Sequence, residues 1–302
     1  MRIKLLAAAT GLAFAATAGA GVASADVQPY IVGGHPATVS TPWMASLQYT
    51  APDYGIAEAR HTCGGALVFR DWVATNAHCV TDPPEEAEKT SSSLHFRNGG
   101  LPIPTKAKRF SVRIGSHDRT QGGETAVVKR IVVNPGWDWN SPGGHKCKVA
   151  LPQPDEPVTC DMAMVQLDHV VNLQPIQLAP RAAKPGDRVE LFGWGDDTPD
   201  PTPTIPTQLQ QLSTRVIPPS RCADAGQSAG ETCTGNPNGT DGPGAGDSGG
   251  PAVKYVGGVP QLVGGASRAG SPYPGAAPTV YTSSPYFRGF IYDTARGLPM
   301  GA

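Results

Sequence analysis

A serine between glycines is the strongest candidate for chemistry in this chain. Residues 246–251 read Gly-Asp-Ser-Gly-Gly-Pro, with Ser248 in third place. Glycines beside a serine allow a sharp turn and leave neighbouring N–H groups free to point at one spot, as an acyl-transfer oxyanion requires. A cluster of Gly, Ser and Pro is more often a surface turn. Ser248 is therefore a candidate nucleophile that needs partners elsewhere in the chain.

A histidine beside a cysteine could supply the base that such a serine needs. His78 lies in Thr-Asn-Ala-His-Cys at residues 75–79. A serine hydroxyl is activated by a base within hydrogen-bond reach. A lone histidine is usually a surface or core residue, but Cys79 can pair with Cys63 upstream and fix this segment. The other histidines have no such context, and we assign them structural or solvent roles.

A carboxylate that orients the base would complete the set. Asp161 precedes Met-Ala-Met-Val-Gln-Leu at residues 162–167, an alternating pattern that predicts a strand. An aspartate at the start of a strand is ordinary by itself. Asp168, at the far end of the same strand, is the alternative.

These segments together resemble the chymotrypsin/trypsin-like serine protease family. The serine loop matches that family at six consecutive positions, and the histidine motif matches except that Asn76 replaces the commoner alanine. The order His, Asp, Ser is also that of the family and separates it from other triad folds. The resemblance extends from Ile31 to the last helical pattern and includes Gly-Trp-Gly at residues 193–195.

The resemblance implies a role for each of these residues. His78 would be the general base, Asp161 the carboxylate that orients it, and Ser248 the nucleophile of an endopeptidase. The N–H groups of Gly246 and Ser248 would form the oxyanion hole.

The segment Ile-Val-Gly-Gly at residues 31–34 resembles the mature N terminus of these enzymes. By this resemblance, the ammonium of Ile31 would pair with Asp247 after cleavage and shape the oxyanion hole. Tyr30 precedes Ile31 where a tryptic site would have Arg or Lys. We therefore expect another protease to activate the chain.

The first 25 residues predict a signal peptide. Arg2 and Lys4 precede an apolar run rich in Ala, Leu and Gly that ends in Ala-Ser-Ala. A membrane anchor is the alternative, but no stop-transfer charges follow the run. We expect a secreted protein whose leader resembles those of bacterial proteins. A short propeptide at residues 26–30 and a peptidase domain at residues 31–302 would follow it.

Six cysteines follow the leader, and export would place them in an oxidising compartment. Their number alone leaves the connectivity open. They fall into three sequence-local pairs, which suggests Cys63–Cys79, Cys147–Cys160 and Cys222–Cys233. No C-x-x-C or spaced Cys/His set is present, so we expect neither a metal nor another cofactor.

The composition predicts an all-β fold to position these groups. The 302 residues include 37 Gly and 31 Pro, and 16% are charged, which is typical of short strands joined by turns. Short apolar or alternating runs predict strands at residues 66–69, 125–133, 162–167, 188–192 and 260–264. Aromatic residues at helical spacing predict a terminal helix at residues 285–296, with Ser283 or Ser284 as its cap.

The resemblance makes this expectation more specific. It implies two packed six-stranded antiparallel β-barrels (chymotrypsin-like) with a C-terminal helix, the first barrel at residues 31–170 and the second at residues 171–302. Exposed loops are expected at residues 81–104, 136–159 and 196–207.

The pocket for the substrate residue before the scissile bond departs from that of trypsin. Cleavage after Arg or Lys needs an acid six positions before the serine, where this chain has Gly242. Asp241 lies one residue away, and a shifted loop register would restore a trypsin-like specificity. Ala269 and Thr279 replace glycines that line deep pockets in relatives. We therefore expect a preference for small apolar residues such as Ala or Val.

Two neighbours of this pocket align with the segment that binds the substrate backbone in the family. They are Ser267 and Arg268. Arg268 either binds an acidic group farther along the peptide or is a solvated loop charge.

Other function classes agree less well with the sequence. A catalytically impaired homologue acting as a binding module would usually lack the serine or histidine, and an α/β-hydrolase esterase would have its histidine last. The net charge is −1, with no basic stripe, so no nucleic-acid partner is expected. We expect a monomer without a membrane partner, a protein or peptide substrate, and an activating protease.

Overall fold

Strands dominate the computed structural model, which describes residues 31–82, 103–139, 160–196 and 205–298. In chain order the strands are β1 His35–Pro36, β2 Met44–Ala51, β3 Ile56–Phe69, β4 Trp72–Thr75, β5 Arg109–Ile114, β6 Glu124–Val133, β7 Ala163–Leu167, β8 Gln177–Leu178, β9 Arg188–Gly193, β10 Gln210–Arg215, β11 Glu231–Thr234, β12 Pro251–Val256, β13 Val259–Ala269 and β14 Thr279–Ser283. The predicted strands coincide with parts of β3, β6, β7, β9 and β13, to within one residue. The predicted leader, propeptide and most of the three predicted loops lie outside the described residues.

Six strands close the first barrel in the order β2-β3-β4-β7-β6-β5. Strand β5 shows why: its residues alternate between exposed or half-buried and buried, so Phe110, Val112 and Ile114 share the inner face. Such alternation is typical of an antiparallel sheet with one face on the core. This barrel confirms the first half of the expected fold.

The second half is a sheet of eight strands in the order β1-β10-β9-β12-β13-β14-β11, with β8 beside β13. Six of them, from β10 to β11, follow one another as in a barrel. A single bridge between Val216 and Thr234 leads from β11 back to the end of β10, with the Ile217 N–H donating to the Cys233 carbonyl at 2.9 Å. The second unit thus differs from a regular six-stranded barrel. One bridge joins its ends, β1 and β8 are added, and β8 pairs parallel with β13.

The N-terminal residues lie on the second sheet. Strand β1 pairs with β10, and Val32 bridges Gly242. Ile31 is buried in the apolar cluster of the second half, with Leu191 and Val263 among its members. The expected division, with residues 31–170 all in the first barrel, is wrong for this segment. The physical reason is the apolar side chain of Ile31, which is buried among residues of the later strands.

The terminal helix α1 covers Arg288–Arg296 and is shorter than predicted. Neither predicted serine caps it: Phe287 occupies the N-cap without a side-chain hydrogen bond, and Ser283 ends β14. Phe287 and Ile291 are buried in the largest apolar cluster, and Tyr292 makes an edge-to-face ring contact with Phe69 of β3, so the helix packs against the first barrel. No helix among the described residues is long and apolar enough to span a membrane.

Two of the predicted disulfides are confirmed, Cys63–Cys79 and Cys222–Cys233. Cys160 is also disulfide-bonded. Its predicted partner, Cys147, lies outside the described residues, so the pairing Cys147–Cys160 stays a prediction.

Candidate active site

The antiparallel pairing of β4 with β7 brings His78 and Asp161 together. Thr75, the last residue of β4, pairs with Ala163, the first of β7. His78 follows this pair and Asp161 precedes it, so both reach the same end of the barrel. The ring Nδ1 of His78 donates to Asp161 Oδ2 at 2.7 Å, and the His78 backbone N–H donates to Oδ1 at 3.0 Å.

Asp161 is buried yet accepts four hydrogen bonds. Besides the two from His78, its Oδ2 accepts from the Ser267 hydroxyl at 2.6 Å and from Asn76 Nδ2 at 3.0 Å. Burial alone would raise the pKa of this carboxyl, but the charge and hydrogen bonds of His78 and the Ser267 bond outweigh it and lower the pKa to about 2. Asp161 is therefore ionised at neutral pH and holds the His78 proton on Nδ1.

The runner-up, Asp168, lies elsewhere. Its side chain is 45% exposed and accepts from the Val127 N–H and from the ring of His169. These contacts place it at the far end of β7, on the surface.

The serine loop packs against the segment that leads to His78. The Ser248 carbonyl accepts the Gly64 N–H at 2.7 Å, and the Gly249 N–H donates to Ala266 at 2.8 Å. Gly249 has a φ of +73°, and a Cβ on it would collide with the Thr75 hydroxyl. Glycine after the serine is thus required for both the left-handed turn and the close approach. This contact sets Ser248 beside the residues that carry His78.

Two N–H groups of this loop are free to bind a ligand. Those of Gly246 and Ser248 donate to no acceptor within the described residues. The neighbouring amides are used: Gly249 and Gly250 donate to Ala266 and Asp247. The pair predicted as an oxyanion hole is therefore available for that role.

The predicted pocket residues meet around Gly242. A Cβ on Gly242 would lie 3.2 Å from Gly275 Cα and 4.0 Å from the Thr279 hydroxyl, so Thr279 faces this point. Ala269 on β13 pairs with Thr279 on β14. The Asp241 side chain points toward Gly33 instead: its carboxylate lies where a Cβ on Gly33 would be. Its oxygens accept from Asn238 Nδ2 and the Thr240 hydroxyl.

Asp247 is buried behind the serine loop and points toward the segment at residues 193–195. It accepts the N–H groups of Gly195 at 2.7 Å and Gly244 at 2.8 Å. Burial raises its pKa to about 7, the two backbone bonds oppose that rise, and the charge of Asp196 adds to it. The ion pairs of the described residues do not include Asp247. In the full chain Ile31 is bonded to Tyr30, so its nitrogen is a peptide nitrogen.

Comparison with known families agrees with this geometry. The sequence profile of the family described as Trypsin matches residues 31–291. The chain belongs to the trypsin family.

This trypsin-family chain is similar to several animal proteins. It is 30% identical to human Kallikrein-14 over 275 residues, 88% of this chain and 84% of that protein. It is 27% identical to Trypsin alpha of Drosophila melanogaster over 282 residues, 89% of this chain and 88% of that one. Mouse neuropsin, a serine protease expressed in the limbic system, matches its structure with a TM-score of 0.62 and 25% identity, over 88% of this chain and 100% of that one. These animal relatives give no support to the bacterial look of the leader.

Arg268 in this trypsin-family chain is committed to internal contacts. Its guanidinium binds both oxygens of Glu231, at 2.6 and 2.9 Å, the carbonyls of Ala225 and Gly226, both at 2.7 Å, and the Ser267 hydroxyl at 3.2 Å. These contacts use all five N–H donors that arginine has. Both sequence interpretations are wrong: Arg268 is neither free to read a substrate acid nor a solvated charge.

Ser267, which also contacts Arg268, makes a side-chain contact that the sequence did not predict, while its predicted role beside the substrate backbone stays a prediction. Ser267 lies where the pairing of β13 with β14 shifts register, between Ala266 and Arg268. Such bulges re-aim side chains. The bulge directs the Ser267 hydroxyl to Asp161.

Sequence reasoning missed the contact of His61 with the oxyanion-hole glycine. His61 is buried, and its Nε2 donates to the Gly246 carbonyl at 3.0 Å, while the Ser46 hydroxyl lies 2.8 Å from Nδ1. Burial lowers the His61 pKa to about 4, against the opposing Gly246 bond. The neutral ring therefore donates through Nε2 and accepts from Ser46, which fixes the peptide of Gly246. The sequence signal for this contact was the position of His61, two residues before Cys63, whose disulfide holds the segment that carries His78.

A group of metal-binding residue types also occurs at this site. Cys63, His78 and Cys79 lie close together among the described residues. Both sulfurs belong to the Cys63–Cys79 disulfide, so neither is a thiolate ligand. This cluster instead anchors the turn that carries His78.

Proposed function

We propose that this chain is a serine endopeptidase that acts through an acyl-enzyme, with Ser248 as the nucleophile. The contact between His78 Nδ1 and ionised Asp161 carries the proposal. It leaves the Nε2 lone pair to accept a proton, next to a loop that presents Ser248 and two free N–H groups.

These positions support the following reaction. His78 Nε2 takes the Ser248 hydroxyl proton as Oγ bonds to the substrate carbonyl carbon, and the N–H groups of Gly246 and Ser248 bind the oxyanion. The imidazolium, stabilised by Asp161, then protonates the leaving amine as the C–N bond breaks. Water repeats the sequence on the ester, and Ser248 recovers its proton.

A fluorophosphonate probe tests this assignment. In chain cleaved before Ile31, we expect one probe per molecule, located at Ser248 by mass mapping, and none in Ser248→Ala. Ser116→Ala is the matched control and should label like the parent, because Ser116 lies away from this site and its hydroxyl bonds to the Gln121 carbonyl. Labelling at another residue, or labelling without peptide turnover, would contradict the endopeptidase proposal.

The proposed specificity is for a small apolar residue before the scissile bond. Thr279 faces Gly242, and Ala269 lies beside Thr279, so two side chains narrow the space between the walls. The contacts of Asp241 with Asn238 and Thr240 keep its carboxylate away from this space, which argues against a trypsin-like pocket.

A panel of chromogenic peptides checks the pocket. We expect the highest kcat/KM with Ala or Val before the scissile bond. In Thr279→Gly, the ratio of Phe to Ala turnover should rise by about 10- to 100-fold, since pocket size discriminates by roughly 1–3 kcal/mol per methylene. The ratio serves as an internal control, because a general loss of activity cancels. Faster turnover of Arg or Phe by the parent would exclude the small pocket.

Export and activation belong to the same proposal. The leader pattern at residues 1–25 supports secretion, and Tyr30 before Ile31 supports activation by a second protease. The partners proposed are thus a peptide or protein substrate and that activating protease, with the chain acting as a monomer.

A further inference from the structure

Asn76 is a buried amide in direct contact with Asp161. It lies between β4 and the turn that carries His78, and it is 0% exposed. Its Nδ2 donates to Asp161 Oδ2 at 3.0 Å and to the Thr282 hydroxyl at 3.4 Å. The alanine commoner at this position in the family could make neither contact.

Chemistry fixes the orientation of this amide. An ionised carboxylate only accepts hydrogen bonds, so the amide atom 3.0 Å from Asp161 must be the nitrogen. The oxygen then points away, and it meets no donor among the described residues. Burying a carbonyl without a donor is unfavourable. We therefore expect the hydrogen bonds donated by Nδ2 to offset the cost of the buried oxygen.

The neighbouring strand makes room for the amide. A Cβ on Gly265, in β13, would collide with Asn76 Oδ1. A side chain at residue 265 and an asparagine at residue 76 are thus mutually exclusive in this geometry. The space for Asn76 depends on glycine at that position.

We propose that Asn76 is a positioning residue for the triad, which acts through Asp161 to set the acid limit of activity. It is the third donor on Oδ2, after His78 Nδ1 and the Ser267 hydroxyl. A further donor holds the carboxylate plane and draws negative charge from it. The carboxylate then stabilises the imidazolium less, which extends activity to lower pH. This inference rests on the proposed serine protease function.

Among the residues that the structure describes, few charged groups face this cluster. They are Asp161 and His78 themselves, Arg268 through the Ser267 hydroxyl, and Glu231, which neutralises Arg268. The residues of β14 and β13 that touch the amide, Thr282 and Gly265, carry no charge. A shift in the acid limit after replacing Asn76 would therefore be due to its bond to Asp161.

The pH profile of kcat/KM on a neutral peptide substrate tests the inference. In Asn76→Ala, which installs the residue usual in the family, we expect the acid limb to move up by roughly half a pH unit, because Asp161 regains charge against the imidazolium. Thr282→Val is the matched control: it removes the other partner of the amide and should leave the limb in place. An unmoved limb in Asn76→Ala, or an equal shift in Thr282→Val, would overturn the proposal.

A second variant tests the same contact from the other strand. Gly265→Ala should displace the amide and raise the acid limb as Asn76→Ala does, and the double variant should shift no further than Asn76→Ala alone. Additive shifts would contradict a shared mechanism.

The proposed function and the role of Asn76 are contradicted by different results. An absence of fluorophosphonate labelling at Ser248 in the parent removes the proposed function. Normal labelling with an unmoved acid limb removes the role of Asn76 alone.

Discussion

Replacing Asp161 with asparagine is expected to lower kcat by about 10⁴ while the chain stays folded, a magnitude known from triad proteases of this same family. The four donors around Asp161 supply the physical reason. Three of them converge on Oδ2 and one, the His78 backbone N–H, on Oδ1. An amide has one oxygen that accepts and one NH₂ group that only donates, so it cannot accept hydrogen bonds on both sides.

Either orientation of the new amide disturbs His78. With NH₂ in the place of Oδ2, it opposes the donors from His78 Nδ1, Asn76 and Ser267. With NH₂ in the place of Oδ1, it opposes the His78 backbone N–H. The first conflict is relieved if the ring moves its proton to Nε2 and accepts through Nδ1. A ring in that tautomer cannot take the proton of Ser248.

Steady-state kinetics with the cleaved chain measure this effect, and a thermal unfolding midpoint close to that of the parent shows that the fold persists. Asp168→Asn is the matched control, since it makes the same change at the exposed end of β7. It should keep kcat within about twofold, because it lies away from the site and surface substitutions usually change stability by no more than about 0.5 kcal/mol. If Asp161→Asn kept most of its activity, the assignment of Asp161 as the orienting carboxylate would be wrong.

Local sequence signals predicted the parts of the site that depend on backbone geometry. The glycines around Ser248 are needed for a turn and a close contact that side chains would block, so their spacing was informative. The cysteine beside His78 likewise marked a constraint, which the Cys63–Cys79 disulfide confirms. Alternation of apolar residues located β7, the strand that follows Asp161, whereas β4, the strand that precedes His78, was not among the predicted strands.

Features that depend on tertiary contacts could not be read in this way. Neither sequence interpretation gave Arg268 an internal partner. Its partner Glu231 lies 37 residues away in the chain, so the two meet only when β13 packs beside residues 225–231 in the fold. The placement of Ile31 on the second sheet depends on strands that begin more than a hundred residues later. Asn76 was visible as a departure from the family, yet its contact with Asp161 required the fold.

The buried carboxyl of Asp247, the proposed partner of the Ile31 ammonium, yields the other large expected effect. In the uncleaved chain the Asp247 carboxyl is buried among backbone donors, and burial raises its pKa from 3.8 to about 7. The folded state thus binds the proton more tightly than the unfolded state. Stability is highest below the unfolded pKa and falls as pH rises toward 7. A shift of about three units at about 1.4 kcal/mol each implies a loss of roughly 4 kcal/mol.

Denaturant unfolding of the uncleaved chain between pH 4 and 8 measures this slope. To keep the chain uncleaved, Ser248→Ala serves as the background. Adding Asp247→Asn should remove most of the slope, whereas Asp53→Asn, which neutralises an exposed carboxylate, should leave it unchanged. Equal slopes with and without Asp247 would show that this carboxyl does not control the pH dependence.

Cleavage before Ile31 should move this pH dependence of stability to a more alkaline range and switch on activity. In the proposed pair with Asp247, the new ammonium, with an ordinary pKa of about 7.7–8.0, gains a buried carboxylate partner, which should raise its pKa and keep the pair through neutral pH. That contribution is present below the unfolded pKa of the amine and is lost as pH climbs past the raised value. We expect peptide turnover to increase by at least about 100-fold on cleavage, since an ordered oxyanion hole contributes that much. Acetylating the Ile31 amine should abolish the gain. Turnover that stays constant well into the alkaline range, or that survives acetylation, would exclude the ion pair as the activating contact.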